Sequence, residues 1–217
     1  ICRTLPINKS NVCESIAAVL SSRFGMGNSY FRIGASQIKQ VDTVPFGCFR
    51  RELFNKIGYF DEELIRNQDD EFNGRIINNG GKIYLLPHII IDYYARDTIG
   101  KVYKMFYQYG LFKPLVNKKL GSPANVRQFF PPIFVLGLVV GPMTFFISAY
   151  FIAIYNFIVI LYLVIATYFS LQYSNRIKRV VVQNWIYFVV HWGYGWGYLT
   201  GMYKLLLNKS FIVTTNR

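Results

Sequence analysis

Three consecutive carboxylates, Asp69, Asp70 and Glu71, follow Gln68 and form the most chemically loaded stretch of this 217-residue chain. Like charges side by side repel, so their clustering needs a reason. One reason is helical. Asn67 is a good N-cap for a helix running through Asn79, ended by Gly80-Gly81. Asp69 and Asp70 then fall in its first turn, where each charge gains about 0.3–1 kcal/mol from the helix dipole. The other reason is chemical. A carboxylate held at a helix N-terminus stays ionised near neutral pH and can take a proton from an attacking hydroxyl. Both readings use the same residues.

The elements around this stretch read as α/β. Val41–Phe46 is strand-like and stops at Pro45–Gly47. Arg50–Ile57 suits a short helix with Leu53, Phe54 and Ile57 on one face and Gly58 as its stop. Phe72 and Ile76 share the buried face of the acid-bearing helix. Lys82–Pro87 and Ile89–Tyr94 are strand-like. Ile99, Val102, Tyr103 and Phe106 then recur at helical spacing, with Lys101 and Lys104 off the stripe. This amphipathic helix, over residues 98–113, is expected to lie on a bilayer surface.

Beyond it the chain changes character. Hydrophobic residues make up 53% of the whole, yet the formal net charge is +13. All 11 acidic residues lie between Glu14 and Asp97, and the 12 basic residues from Thr98 onward have no acidic neighbour. That bias fits anionic lipid. A nucleic-acid footprint fits less well, because long apolar runs interrupt the basic region. Residues 128–175 carry no charge at all, too long for one span of about 20 residues. Pro131-Pro132 opens the run, and a break near Ala149–Ala153 predicts a hairpin of two helices, Ile133–Ala149 and Phe151–Ser170. Arg176, Lys178 and Arg179 follow, and the positive-inside rule puts them, with residues 1–129, in the cytoplasm. A third apolar stretch, Trp185–Leu207, carries Gly193, Gly195, Gly197 and Gly201; Gly197 and Gly201 have helix-packing spacing. Whether it spans or lies in the interface stays open. The expected divisions are 1–97, 98–129 and 130–217.

Cys2, Cys13 and Cys48 are scattered, with no CxxC and no even set, which supports neither zinc nor a disulfide framework. His88 and His191 have no metal-ligand spacing.

Two segments, Val44-Pro-Phe-Gly-Cys-Phe-Arg-Arg-Glu-Leu-Phe-Asn-Lys-Ile-Gly-Tyr-Phe-Asp-Glu-Glu-Leu and Asn67-Gln-Asp-Asp-Glu-Phe-Asn-Gly-Arg75, together resemble the acceptor half of family 2 glycosyltransferases of the GT-A fold. The likeness is to the succinoglycan and exopolysaccharide type. Phe24-Gly-Met-Gly-Asn-Ser-Tyr-Phe-Arg32, Tyr107-Gln-Tyr-Gly-Leu-Phe-Lys113 and the apolar tail extend it over about 11–201. The fold class implied is α/β: the C-terminal, acceptor half of a GT-A domain followed by two to three transmembrane or interfacial helices.

The family pattern Glu-Asp-x-Glu/Asp, with Arg four residues after the last acid, implies that Asp69 is the catalytic base. Glu71 and Arg75 take the later positions, Gln68 replaces the common Glu, and Asp70 is the rival base. Gly47 would line the acceptor cleft, where a residue without a side chain lets substrate approach the backbone. Arg50 and Arg51 would contact phosphates, or else be solvated helix-face arginines. Gln108 would face the site. It begins Gln108-Tyr-Gly-Leu-Phe, which lacks the Arg and Trp of the processive Gln-x-x-Arg-Trp motif and implies addition of one sugar.

The resemblance further implies a nucleotide-sugar donor, a polyprenyl-diphosphate-linked acceptor, and a bacterial inner membrane with the catalytic part cytoplasmic. It also implies a divalent cation, Mg or Mn. The family's Asp-x-Asp motif and nucleotide-binding half do not occur in these residues, which alone are expected to be inactive. Two rivals remain: a polyprenyl-phosphate glycosyltransferase, and a non-catalytic membrane scaffold or transporter subunit. The charge-free 128–175 run counts against transport.

Overall fold

Local signals punctuate the chain. The computed structural model describes residues 1–123 and 125–211. Strand β1 (Cys2–Leu5) comes first. Ser10 accepts a bond from the Cys13 amide at 3.2 Å and opens helix α1 (Asn11–Leu20). One-turn helices α2 (Arg23–Met26) and α3 (Tyr30–Ile33) lead to strand β2 (Lys39–Val41). Helix α4 (Arg51–Ile57) ends at Gly58, whose φ of 80° is left-handed backbone that glycine adopts at no steric cost. Helix α5 (Gln68–Asn78) carries the acids. Strands β3 (Ile83–Leu85) and β4 (Ile91–Tyr94) follow. Thr98 caps helix α6 (Ile99–Leu120), accepting from the Lys101 amide at 3.3 Å. A 3-10 turn, Val126–Phe129, enters helix α7 (Phe130–Val140), which tightens to 3-10 over Gly141–Phe146. Ser148 caps helix α8 (Ala149–Leu171), and helix α9 (Ile177–Leu206) comes last.

The expected mixture of helix and strand is present, with helix predominating. β1 pairs in parallel with β4, Cys2 opposite Ile91 and Leu5 opposite Tyr94. β2 pairs antiparallel with β3, Lys39 opposite Leu85. The strand expected over Val41–Phe46 stops at Val41. Pro45 has no N–H to give a ladder. The Asn73 amide donates to the Thr43 hydroxyl at 2.8 Å and to the Val44 carbonyl at 3.0 Å, so those groups are satisfied by α5 instead.

The apolar stripe of helix α6 is covered by protein, with Lys101, Tyr103 and Lys104 left exposed. Val102, Met105 and Phe106 join Ile16, Leu20, Ile186, Tyr187 and Val190 in one core between α1, α6 and α9. From Gly110 to Val116 every α6 residue is buried. An apolar stripe is written the same way whether lipid or a neighbouring helix covers it.

The glycines of α9 let the two helices touch backbone to backbone. A Cβ on Gly197 would stand 2.1 Å from the Tyr107 carbonyl oxygen, and one on Gly201 would stand 2.3 Å from that of Leu111. On α6, a Cβ at Gly110 would stand 2.0 Å from the Tyr194 oxygen. Gly195 faces α7 instead, with Pro131 and Val135. The third apolar stretch therefore belongs to a 30-residue helix packed into the protein.

Two apolar helices form the expected hairpin, but its break falls at Ile147–Ser148, just before the expected Ala149–Ala153. Phe134 stacks on Tyr162 at 4.5 Å and Gly141 abuts Tyr155, so α7 and α8 run antiparallel. Val126–Phe146 and Ala149–Leu171 are long and apolar enough to cross a membrane, and little of either is buried in the protein. His191 on α9 ties the hairpin to the first half, bonding the Tyr162 hydroxyl and the Phe24 carbonyl, each at 2.9 Å. Arg179, in the basic cluster after the hairpin, pairs with Glu14 of α1 and bonds Asn11. The start of α9 therefore sits beside the acid-bearing half of the chain.

Candidate functional site

The loop before α5 and the first turn of α5 are fastened to α6 residue by residue. The Arg66 Nε donates to the Gln108 side-chain oxygen at 2.9 Å. The Asn67 side-chain amide donates to the Tyr109 carbonyl at 2.9 Å. Lys113 pairs with Asp70. Lys119 bonds Asp61 at 2.8 Å and Glu63 at 2.5 Å, which holds the Asp61 carboxyl below its usual range. Residues 108, 109 and 113 lie along one side of α6, so this helix is the rail on which the acidic turn is mounted.

Asn67 therefore does not cap in the expected way. Its φ is 63°, which asparagine tolerates, and its side chain reaches α6 rather than its own helix. Asp69 takes over part of that task, accepting from the Asp70 amide at 3.0 Å.

The three acids have three environments. Glu71 is buried and gripped by Arg75 in a two-pronged pair, 2.7 Å to Nε and 2.9 Å to Nη2. Arg75 also donates to the Ile57 and Tyr59 carbonyls, binding the end of α4 to α5. Asp70 is neutralised by Lys113, whose side chain is 7% exposed. Asp69 has no cation of its own among the described residues. Its carboxylate is open to solvent but surrounded by protein on most sides. Desolvation raises its pKa, the Asp70 charge raises it further, and backbone hydrogen bonds and Lys113 pull the other way. A carboxylate with a raised pKa is a stronger base than a free one.

The remaining expected site residues separate. Gln108 is buried against Arg66, at the same place as the acids. At Gly47 a Cβ would meet the Phe49 ring at 2.5 Å. Phe49 packs at 5.0 Å on Phe72 in an aromatic cluster with Phe54 and Phe60. The space is thus filled by the protein's own side chain. Arg50 and Arg51 are exposed, and their side chains make no hydrogen bond or ion pair among the described residues. Arg66 and Lys113 carried no role in the sequence reading. A lysine on an apolar helix face is a signal of a buried partner, but nothing local names Asp70 as that partner.

Among the described residues, no three His, Cys, Asp or Glu side chains are placed so that they could hold a metal ion. The divalent cation implied by the resemblance therefore has no fitting ligand set here. A concavity of about 440 Å³ opens elsewhere, between Ser21, Arg23, Ile33, Tyr168 and Gln172. It faces the apolar hairpin and contains none of the acids.

Against known proteins, the chain is 33% identical over 128 residues to the dolichyl N-acetyl-alpha-D-glucosaminyl phosphate 3-beta-D-2,3-diacetamido-2,3-dideoxy-beta-D-glucuronosyltransferase of Methanococcus voltae. This chain is related to glycosyltransferases. The match takes in 58% of the chain and 39% of that protein. The succinoglycan biosynthesis protein ExoA of Rhizobium meliloti is 25% identical over 132 residues, 61% of the chain and 38% of its own length. The match thus spans about two fifths of the length of each of these two relatives. No family model and no solved structure matches it. The likeness to family 2 enzymes of the exopolysaccharide type, drawn above from the motifs, is supported by both relatives.

Proposed function

We propose that this chain is the acceptor-side and membrane-anchoring part of an inverting glycosyltransferase of the GT-A type. It transfers one sugar from a nucleotide sugar to a lipid-linked saccharide in cell-surface polysaccharide synthesis. The observation that carries the proposal is Asp69: a carboxylate without its own counter-ion among the described residues, its pKa raised by burial and by Asp70, in a turn fastened to helix α6, which packs against α9.

Asp69 takes the proton from the acceptor hydroxyl as that oxygen attacks the donor's anomeric carbon from the face opposite the leaving group. The new C–O bond forms while the bond to the nucleoside diphosphate breaks, and the diphosphate leaves with the electron pair. Asp70 and Lys113 set the field at Asp69. Glu71 and Arg75 hold the α4–α5 junction in register. Gln108 positions Arg66. Arg50, Arg51 and Gly47 lie on the acceptor side in this reading. The metal that would stabilise the leaving diphosphate takes its ligands from elsewhere in the whole protein. The hairpin keeps the site at the cytoplasmic face of a bacterial inner membrane, where a polyprenyl-diphosphate-linked acceptor is presented.

One relative's name describes transfer to the 3-position of a lipid-linked sugar. That supports a hydroxyl acceptor, which needs a base, over a bare lipid phosphate, which does not. The test is transfer by the full-length protein in membranes, from a panel of radiolabelled nucleotide sugars to endogenous lipid. Label entering the organic-extractable fraction, and lost on chelation, supports the reading. No transfer from any donor by the inserted, folded protein refutes it and favours the scaffold.

A further inference from the structure

Three cations stand along one side of α6, and only one of them is neutralised. Lys113 has Asp70. Arg32 and Arg66 pair with no carboxylate among the described residues. The Arg32 guanidinium carbon stands over the Tyr93 ring, 4.2 Å from its centroid, and the Tyr93 hydroxyl reaches the Met105 sulfur at 3.6 Å. Arg66 bonds Gln108 through Nε alone. Met105 and Gln108 are three apart on α6, neighbours on its surface at about 5–6 Å. Arg66 directly, and Arg32 by way of Tyr93, thus meet α6 at positions three residues apart, with Tyr109 one turn beyond Met105.

The contacts already made leave the useful donors free. A cation–π contact uses the flat face of a guanidinium and none of its in-plane N–H groups. Arg32 Nη1 is shut off from water and bonds nothing. Both terminal nitrogens of Arg66 lack a partner among the described residues. An unsatisfied charged donor is costly unless an anion meets it. Tyr109 lies at the same place: the Asn67 side-chain amide, two residues before Asp69, bonds its carbonyl at 2.9 Å, and while burial and Tyr93 raise the Tyr109 phenol, Arg32 and Arg66 lower it and Asp69 raises it.

We infer that Arg32 and Arg66 form a binding site for a phosphate or diphosphate group beside Asp69. Two forked guanidiniums match phosphate oxygens in geometry and in charge. The inference deepens the glycosyltransferase reading: the anion is the diphosphate of the lipid-linked acceptor or that of the nucleotide donor. Its binding can be measured without any transfer.

The probe is inorganic pyrophosphate, titrated calorimetrically into the purified full-length protein in detergent, with chelator present so that no metal-held diphosphate contributes. Arg32→Gln and Arg66→Gln should each weaken binding about tenfold or more, the loss of a charge-assisted pair. The double variant should bind none. Lys82→Gln, an exposed charge elsewhere, should leave binding unchanged. Arg66→Lys should restore part of it, which a misfolded protein would not. A wild-type protein that ignores pyrophosphate, or a double variant that binds it as tightly, overturns the inference. So does a Lys82→Gln loss of equal size. Kinetics then separate the sources. A raised KM for lipid-linked acceptor alone assigns the acceptor's diphosphate, and a raised KM for nucleotide sugar alone assigns the donor's. Absence of transfer with every substrate would refute the proposed function while the pyrophosphate titration still decides the site.

Discussion

Replacing Gly197 by alanine tests whether the α6–α9 contact positions the acids. The added Cβ would sit 2.1 Å from the Tyr107 carbonyl oxygen and 3.0 Å from the Leu111 amide nitrogen. Both are backbone atoms, so no side chain can rotate away. Real Cβ contacts essentially never fall below 3.0 Å, so α6 must move off α9 by roughly 1 Å, a shift of the overpacking kind that costs about 1–3 kcal/mol. Tyr107 and Leu111 flank Gln108 and Tyr109, which hold Arg66 and Asn67. The acidic turn moves with them, and a displacement of about 1 Å at a reacting centre costs on the order of 100-fold in rate. Thermal unfolding of the detergent-solubilised protein and transfer in membranes read the two effects. Gly100→Ala is the control, since a Cβ there meets nothing within 4 Å and a helical alanine gains about 0.5–1 kcal/mol over glycine. If Gly197→Ala matched Gly100→Ala in both stability and rate, the reasoning would be refuted.

Three further outcomes follow from the geometry. Arg75→Met leaves Glu71 buried without a partner and should lower stability by about 3 kcal/mol, toward the low end for a broken buried pair because Arg75 is partly exposed; chemical denaturation measures it. Lys113→Met removes a cation that favours ionised Asp69 and leaves Asp70 to repel it, so the acid limb of the pH–rate profile should move to higher pH; Asp70→Asn should move it lower. Asp69→Asn should raise the thermal midpoint near neutral pH. The folded state binds the Asp69 proton more tightly than the unfolded chain, so ionising it costs stability as pH rises from the unfolded value through the raised folded one, and asparagine removes that cost.

Much of the fold is legible locally. The first-turn acids of α5, the glycine stop at Gly58 and the break before α8 are written within a few residues of where they act. Other features are not local. β1 was not expected, because its partner β4 lies at the far end of the acid-bearing half. The strand after Val41 failed because Asn73, on another element, claims the Thr43 and Val44 groups. The α6 stripe reads the same under lipid as under α9, and only the glycines opposite it betray the neighbouring helix. At the site, the acids were legible by type and spacing. Their division of labour was not, since it depends on which cation each one meets: Arg75 four residues on for Glu71, Lys113 on another helix for Asp70, and none among the described residues for Asp69.

The central claim is that Asp69 is the base, and the most direct measurement is single-turnover transfer by Asp69→Asn in the full-length protein, beside its thermal midpoint and its affinity for donor and acceptor. The account predicts a midpoint at or above wild type, near-normal binding of both substrates, and a rate of transfer reduced by about 100- to 10,000-fold, the range for a lost general base. Wild-type transfer in that variant would contradict it, and if Asp70→Asn instead abolished transfer while folding normally, the base would be Asp70.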